Sequence, residues 1–313
     1  ELIMSNILII KHGSLGDLIQ ANGAIKDIKN FYPNRKVFLL TTQPYSIFMS
    51  ECPYLDGVLI DKRLPRWNLF YLNNLKKTLS KYDFSKVFDL QNSSRTKFYK
   101  RFIIKNVEWS STETALEPGQ RKSDFDKDPV LDRMEIQLKK SGIETEFTKN
   151  IDLSWAVENT SHLVKKYTNR EYILLFPFCS PKLKNKKWPY YKELIQKLKQ
   201  EFKNKYSVLL APGPNEIEEA NELNAKVVLE NNEYVTLKTL VSLINSAKLI
   251  IANDTGPAHI ASHLDKKGLV LFGSHTSAKK VSIENFNFKA ISVENLKDLD
   301  VNTVLKEAKA KLD

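Results

Sequence analysis

Residues 249–264, LIIANDTGPAHIASHL, set the tightest limit on what this chain folds into. Leu249 to Ala252 is an apolar run of strand length. It stops at Asn253-Asp254-Thr255-Gly256-Pro257, and apolar residues resume at Ala258. Asp254 or Thr255 is placed to cap a helix, Gly256 permits close backbone approach, and Pro257 suits a first helical turn. A strand passing through a tight turn into a helix is the building block of a parallel α/β sheet. Its helix N-terminus carries unpaired N–H groups, which favour a phosphate.

The same alternation runs through the rest of the chain. Strands are expected at Asn6–Ile10, Val37–Leu40, Val58–Ile60 and Val87–Leu90, with helices from Leu18 to Ile28 and from Leu69 to Ser80. Residues 110–130 are polar and without apolar period, and read as a long, mobile loop. Met134 to Lys140 reads as a helix. The pattern restarts with a strand at Tyr172–Phe176, a helix face from Tyr191 to Phe202, a strand at Ser207–Ala211, and a helix face from Leu237 to Ile244. A strand at Leu269–Phe272 and a helix at Val301–Leu312 close it. Two such runs predict two α/β domains with parallel sheets facing a cleft, at residues 1–160 and 161–313, joined by a linker within 154–170. The final helix is free to pack back on the first domain.

Composition narrows the partners. The net charge is +11, which suits an anionic target: nucleic acid, a membrane surface or an acidic substrate. Lys and Arg are spread along the chain, and aromatic residues do not alternate with them as on a nucleic-acid platform, so no nucleic-acid partner is expected. No apolar run reaches the length of a membrane span. The start, ELIMSNILII, lacks the charged and long apolar regions of a signal peptide. Two cysteines, Cys52 and Cys179, make no disulfide framework, and a reducing cytoplasm is the expected location.

Four segments can carry chemistry. The first is Lys11 to Leu18, KHGSLGDL, directly after the first strand. It lacks the third glycine of a dinucleotide fingerprint, and the second strand ends in Thr41-Thr42 rather than an acid, which counts against an NAD enzyme. Asp17 in this segment reads either as a helix cap or as a general base. The second is FPFCSPKLKNKKWP, where Lys186 and Lys187 follow a strand and can neutralise a phosphate; Trp188 reads as core or as a stacking surface. The third is LLAPGPNE, where Glu216 is a first-turn acid or a hydrogen-bond acceptor for a ribose or base. The fourth is the opening stretch, where His259 can reach a phosphate or sugar. His259 and His263 lack the glutamate of a zinc-binding helix, and no metal is expected. Asp124-Phe125-Asp126 matches a D-x-D metal motif in form, but lies in a polar loop and reads as solvated charge.

In this order the segments resemble glycosyltransferase family nine, the ADP-heptose:lipopolysaccharide heptosyltransferases. ILIIKHGSLGDLIQANGAIKDIKNFYP is similar to the family's first signature and YDFSKVFDLQNSSRTKF to its next block. KKWP, GPNE and LINSAKLIIANDTGPAHIASHL follow in sequence. Phe178-Cys179-Ser180 and the segment GSHTSAKK depart from the family pattern.

The resemblance implies a GT-B fold of two Rossmann-like domains and an inverting, metal-independent transfer of a sugar, heptose from ADP-heptose, to a lipopolysaccharide-core acceptor. It makes Asp17 the base and Lys186 the contact to the diphosphate. It places Thr255, Gly256 and His259 at the phosphate, Glu216 at the nucleoside, and Ser14 and Gly16 with the donor-binding residues. Asp254 would orient Lys186 or cap the helix. Lys62, Arg63, Arg66 and Arg95 read either as plain surface charge or as cations that would hold an anionic glycolipid acceptor, with peripheral contact at the inner membrane face. A GT-B sugar-nucleotide epimerase and an inactive nucleotide-binding module stay open as alternatives.

Overall fold

A computed structural model describes residues 4–313, which divide into two compact units, the first ending at Trp155 and the second Ala156–Asp313. The first unit runs β1 (Asn6–Ile10), α1 (Leu15–Phe31), β2 (Val37–Thr41), α2 (Gln43–Ser50), β3 (Gly57–Ile60), α3 (Leu69–Ser80), β4 (Phe84–Asp89), α4 (Ser94–Phe102) and β5 (Glu108–Ser110). Three more helices follow: α5 (Thr112–Ala115), α6 (Lys122–Phe125) and α7 (Val130–Lys140). Its five parallel strands are ordered β3-β2-β1-β4-β5. Strands β1 and β2 are continuous apolar runs because both faces of the sheet are covered. Helix α1 approaches the chain so closely that a Cβ on Gly23 would lie 2.0 Å from the Phe147 carbonyl oxygen. The neighbouring Asp27 carboxylate accepts the amides of Glu146, Phe147 and Thr148, at 3.1, 3.0 and 2.7 Å.

The second unit comprises α8 (Ser161–Val164), β6 (Glu171–Phe176), α9 (Tyr191–Glu201), β7 (Tyr206–Leu210), α10 (Ile217–Asn221), β8 (Lys226–Val227), α11 (Leu237–Ser246), β9 (Leu249–Asn253), α12 (Gly256–His263), β10 (Gly268–Phe272), β11 (Phe288–Ser292) and α13 (Val301–Leu312). Six parallel strands are ordered β11-β10-β9-β6-β7-β8. The apolar faces of α9 and α13 cover this sheet in one core with Ile173, Leu210 and Ile251. Helix α13 therefore packs on its own unit, through α9, β9 and β10. Among the described residues no helix is long and apolar enough to cross a membrane.

The stretch expected as one long loop, 110–130, instead contains the single-turn helices α5 and α6. Phe125 is buried there and anchors the segment, an apolar contact too isolated to show as a period. The D-x-D acids are satisfied by local cations: Asp124 pairs with Arg121 and Lys127 at 3.2 and 3.0 Å, and Asp126 with Lys122.

Candidate functional site

In each sheet the chain builds outward first to one side of a central strand and then to the other. The reversal falls between β6 and β9 in the second sheet and between β1 and β4 in the first. In open α/β sheets, ligands bind outside the carboxyl ends of the strands at such a reversal, because the two connecting loops splay apart there. KHGSLGDL follows β1, the Lys186 loop follows β6 and the NDTGPAH stretch follows β9, while the Glu216 segment follows β7, one strand further out.

In the second unit, Asn253 ends β9 fully buried. Its Oδ1 accepts the Trp188 amide at 3.3 Å and its Nδ2 donates to the Phe178 carbonyl at 3.2 Å. One side chain thus clamps both ends of the loop that carries Lys186. Trp188 is itself fully buried, with its indole N–H donating to the Leu299 carbonyl at 3.0 Å. It is a core anchor, not a stacking surface.

Asp254, 4% exposed, is the electrostatic centre. Its Oδ2 lies 3.3 Å from Lys186 Nζ and 3.0 Å from His275 Nε2, and its Oδ1 lies 3.9 Å from His259 Nε2. An ammonium has three N–H donors, so Lys186 keeps donors for a ligand after meeting Asp254. The Lys186 side chain is 25% exposed and within reach of one. Lys187 is committed elsewhere, to Glu219. His275 had not been singled out in the sequence. It lies three residues past β10, stacked on Phe272 with centroids 5.6 Å apart, and its Nδ1 is buried without a partner among the described residues. Its position just beyond β10, the neighbour of β9, is the available signal.

The expected cap on α12 is not made. Thr255 occupies the N-cap position, but its hydroxyl donates to the Asn253 carbonyl at 3.3 Å. Asp254 is held by its basic neighbours. Among the described residues, no protein group accepts from the Thr255 or Gly256 amide. The helix start is therefore open for an anion. Glu216 has turned back onto its own loop, its Oε1 accepting the Gly213 amide at 2.8 Å. Burial raises its carboxyl above the usual range, against that hydrogen bond and the charge of Lys187. Cys179 feels the charges of Lys187, Glu216 and Lys186, which places the ends of β6 and β7 side by side.

Behind this site, burial and the neighbouring His259 push His263 down to about 3, and its Nε2 is buried without a partner among the described residues. An unfolded histidine titrates near 6.5, so below that pH the unfolded chain binds a proton that the folded chain refuses. Stability should fall as pH drops from about 6.5 toward 3, with a slope of up to ~1.4 kcal/mol per pH unit. Urea denaturation at successive pH values should show this slope, and His263→Gln should flatten it.

In the first unit, Asp17 is the third residue of α1. Its Oδ2 accepts the Ser14 amide at 3.0 Å and the Ser14 hydroxyl at 3.1 Å, so the capping role is realised. Gly13 makes the turn with φ at +137°, and a Cβ there would lie 2.6 Å from the Tyr45 ring. Gly16 is buried and Ser14 exposed, both beside Asp17. Lys11, not singled out earlier, is buried with its Nζ donating to the Leu90 carbonyl at 3.1 Å. Burial lowers its pKa, opposed by Asp17 and Asp89.

The basic residues proposed for the acceptor are organised by Asp61, which is fully buried. Its carboxylate meets His12 Nε2 at 2.7 Å and accepts from Tyr99 Oη at 2.5 Å, from the Arg63 amide at 2.9 Å, and from Tyr71. Burial opposes its charge, but these hydrogen bonds hold it at about 2. Arg95 donates to the Arg63 carbonyl at 3.4 Å and to Tyr99 Oη at 3.2 Å, while Arg66 donates to the Ser94 carbonyl at 3.4 Å. Arg63, Arg66 and Arg95 thus gather around the start of α4, and Lys62 is exposed beside them. Asp61 ties this group to His12, which lies in the Asp17 loop.

Comparison with known proteins places these features in a family. Residues 72–307 match glycosyltransferase family 9 (heptosyltransferase). The lipopolysaccharide heptosyltransferase 1 of Campylobacter coli is 22% identical over 339 residues, covering 94% of this chain and 92% of its own. The structure of E. coli ADP-heptose lps heptosyltransferase II is similar with a TM-score of 0.74 and 19% identity, covering 98% of each chain. That of E. coli heptosyltransferase WaaC with ADP has a TM-score of 0.73 and 19% identity, covering 98% of this chain and 99% of that one. The fold is the GT-B type, with two Rossmann-like halves. A match over most of the chain, with both strand-end sites in place, leads to one conclusion: the chain belongs to glycosyltransferase family 9, the heptosyltransferases, and is a glycosyltransferase.

Proposed function

We propose that the enzyme transfers a heptose from ADP-heptose to an anionic, lipopolysaccharide-core acceptor, with inversion and without a metal ion. The observation that carries this reading is the pairing of Lys186 with Asp254 beside the open amides of Thr255 and Gly256. A cation and two bare N–H groups form a seat for the charge that develops on a departing diphosphate. Lys186 supplies the countercharge that a divalent ion supplies in other transferases. The names of the similar proteins, which carry ADP and ADP-heptose, support the choice of donor. Glu216 is the acceptor we assign to the nucleoside, and His259 the group nearest the sugar or phosphate.

In the proposed step the acceptor hydroxyl oxygen forms a bond to the anomeric carbon while the bond from that carbon to the diphosphate oxygen breaks. The hydroxyl proton passes to Asp17, and ADP leaves with the bonding pair. The Asp61 group holds Arg63 and Arg95 toward a phosphate or carboxylate of the acceptor. Incubation of the protein with ADP-heptose and a heptose-free core acceptor tests the reading. ADP release that requires the acceptor, a heptosylated product of inverted anomeric configuration, and full activity with a chelator are expected. ADP release with no acceptor dependence, or loss of activity with the chelator, would overturn it.

A further inference from the structure

The excess positive charge of the chain is not distributed as its lysines and arginines are. Residues 62–82 and 90–107 hold eleven Lys and Arg and no Asp or Glu. The other 37 Lys and Arg are balanced by the 37 Asp and Glu of the chain, so these two stretches account for the whole net charge of +11. They comprise the β3–α3 loop, α3, the β4–α4 loop and α4 with their flanks. Helices α3 and α4 cover the same face of the first sheet, packing Leu72, Leu75, Tyr99 and Ile103 on Leu8, Ile10 and Val87. Their outer sides therefore look the same way. Among the described residues one of these cations, Lys97, has a carboxylate partner, Glu113 at 2.7 Å.

This basic side carries an apolar tip. Trp67, Leu69 and Phe70, where the loop enters α3, are 80%, 76% and 78% exposed. Helix α3 already buries its opposite stripe, so these residues are surplus to the core. Large apolar residues left in water cost free energy, and several within four positions mark a contact surface. Arg63 and Arg66 flank the tip, Arg66 with its guanidinium 5.8 Å from the Phe98 ring. A Trp and a Phe at the tip of a strongly basic face match the water–hydrocarbon boundary of an anionic bilayer. Aromatic rings favour that boundary, and each nearby Lys or Arg gains from the negative surface potential.

We propose that the outer side of α3 and α4 is a membrane-docking surface, with Trp67, Leu69 and Phe70 inserted among the headgroups of an anionic phospholipid bilayer. The proposal deepens the acceptor reading above, since it would present the Arg63 and Arg95 group to an acceptor anchored in the same bilayer. Its test uses vesicles that contain no acceptor, so that it stands or falls apart from the transfer reaction.

Co-sedimentation of the full chain with phosphatidylcholine vesicles, and with vesicles containing phosphatidylglycerol, is the measurement. Binding to the anionic vesicles should exceed that to neutral ones by at least about tenfold and weaken with added salt. Trp67→Ser with Phe70→Ser should lower it by about tenfold or more without altering the melting temperature, because these side chains are exposed. Trp67 fluorescence should be quenched by brominated lipid. Equal binding to both vesicle types, no binding, or an unaffected double variant would overturn the proposal. So would sedimentation velocity showing that the wild-type chain forms a dimer that the double variant abolishes, since a second copy would then cover the tip.

Discussion

Asp17→Asn should lower kcat by about a thousandfold while leaving the affinity for ADP within about twofold. Asp17 makes two hydrogen bonds. Its Oδ2 accepts from the Ser14 amide and hydroxyl, which is a capping role, and a capping role alone predicts a loss of stability of about 1 kcal/mol and little else. An asparagine keeps an oxygen for the Ser14 amide, so the cap largely survives, but a carboxamide cannot take a proton from an attacking hydroxyl. The variant therefore separates the two roles. Steady-state transfer rates, ADP calorimetry and a thermal melt on one preparation decide between them. A near-wild-type rate with a lowered melting temperature would leave Asp17 as a cap and nothing more. Asp17→Ala should lose both roles and melt lower than Asp17→Asn.

The second large effect is expected at Lys186. Lys186→Met should weaken ADP binding by about ten- to a hundredfold, the range for a hydrogen bond to a charged group. It also strips a cation from Asp254, which is 4% exposed. An uncompensated buried carboxylate is destabilising, so the single variant should melt lower for a reason unrelated to the ligand. Lys186→Met combined with Asp254→Asn should recover much of the stability, since the stranded charge is gone, yet bind ADP as poorly as the single variant. Recovery of ADP affinity in the double variant would show that Lys186 serves the fold, not the diphosphate. His275 shares the Asp254 Oδ2 at 3.0 Å and limits the stability loss, because it remains to pair with the carboxylate.

Much of this architecture is legible in the sequence. Strand β1 and helices α3 and α13 fall where the apolar pattern predicts, because each buries a regular stripe or run against a sheet. Helices α2 and α4 were not anticipated. In α4 only Thr96 and Tyr99 are buried, too few to impose a period on a basic segment. Strand β11 is only partly buried along its length and lacks a continuous apolar run. At the site, Lys186 and Asp254 were named from the sequence, and the structure brings them within 3.3 Å of each other. The α12 cap was not foreseen correctly. A Thr or Asp before a helix is a capping residue on average, but here stronger partners were in reach: a carbonyl for Thr255, and Lys186 and His275 for Asp254.

The sequence by itself determined the local units: which runs become strands, which turns carry glycine and proline, and which polar residues follow each strand. Those follow from side-chain period and backbone restriction, which act over a few residues. Only the tertiary structure decided which polar residues share a charge. Asp61 gathers His12, Tyr71, Tyr99 and Arg63, and Asp254 gathers Lys186, His259 and His275, across separations of up to 68 positions in the chain. Strand order makes those meetings, because β1 lies between β2 and β4, and β9 between β6 and β10. The NDTGPAH stretch thereby becomes more than a helix start that favours phosphate: its asparagine clamps a loop, its aspartate holds a lysine, and its open amides remain for the ligand.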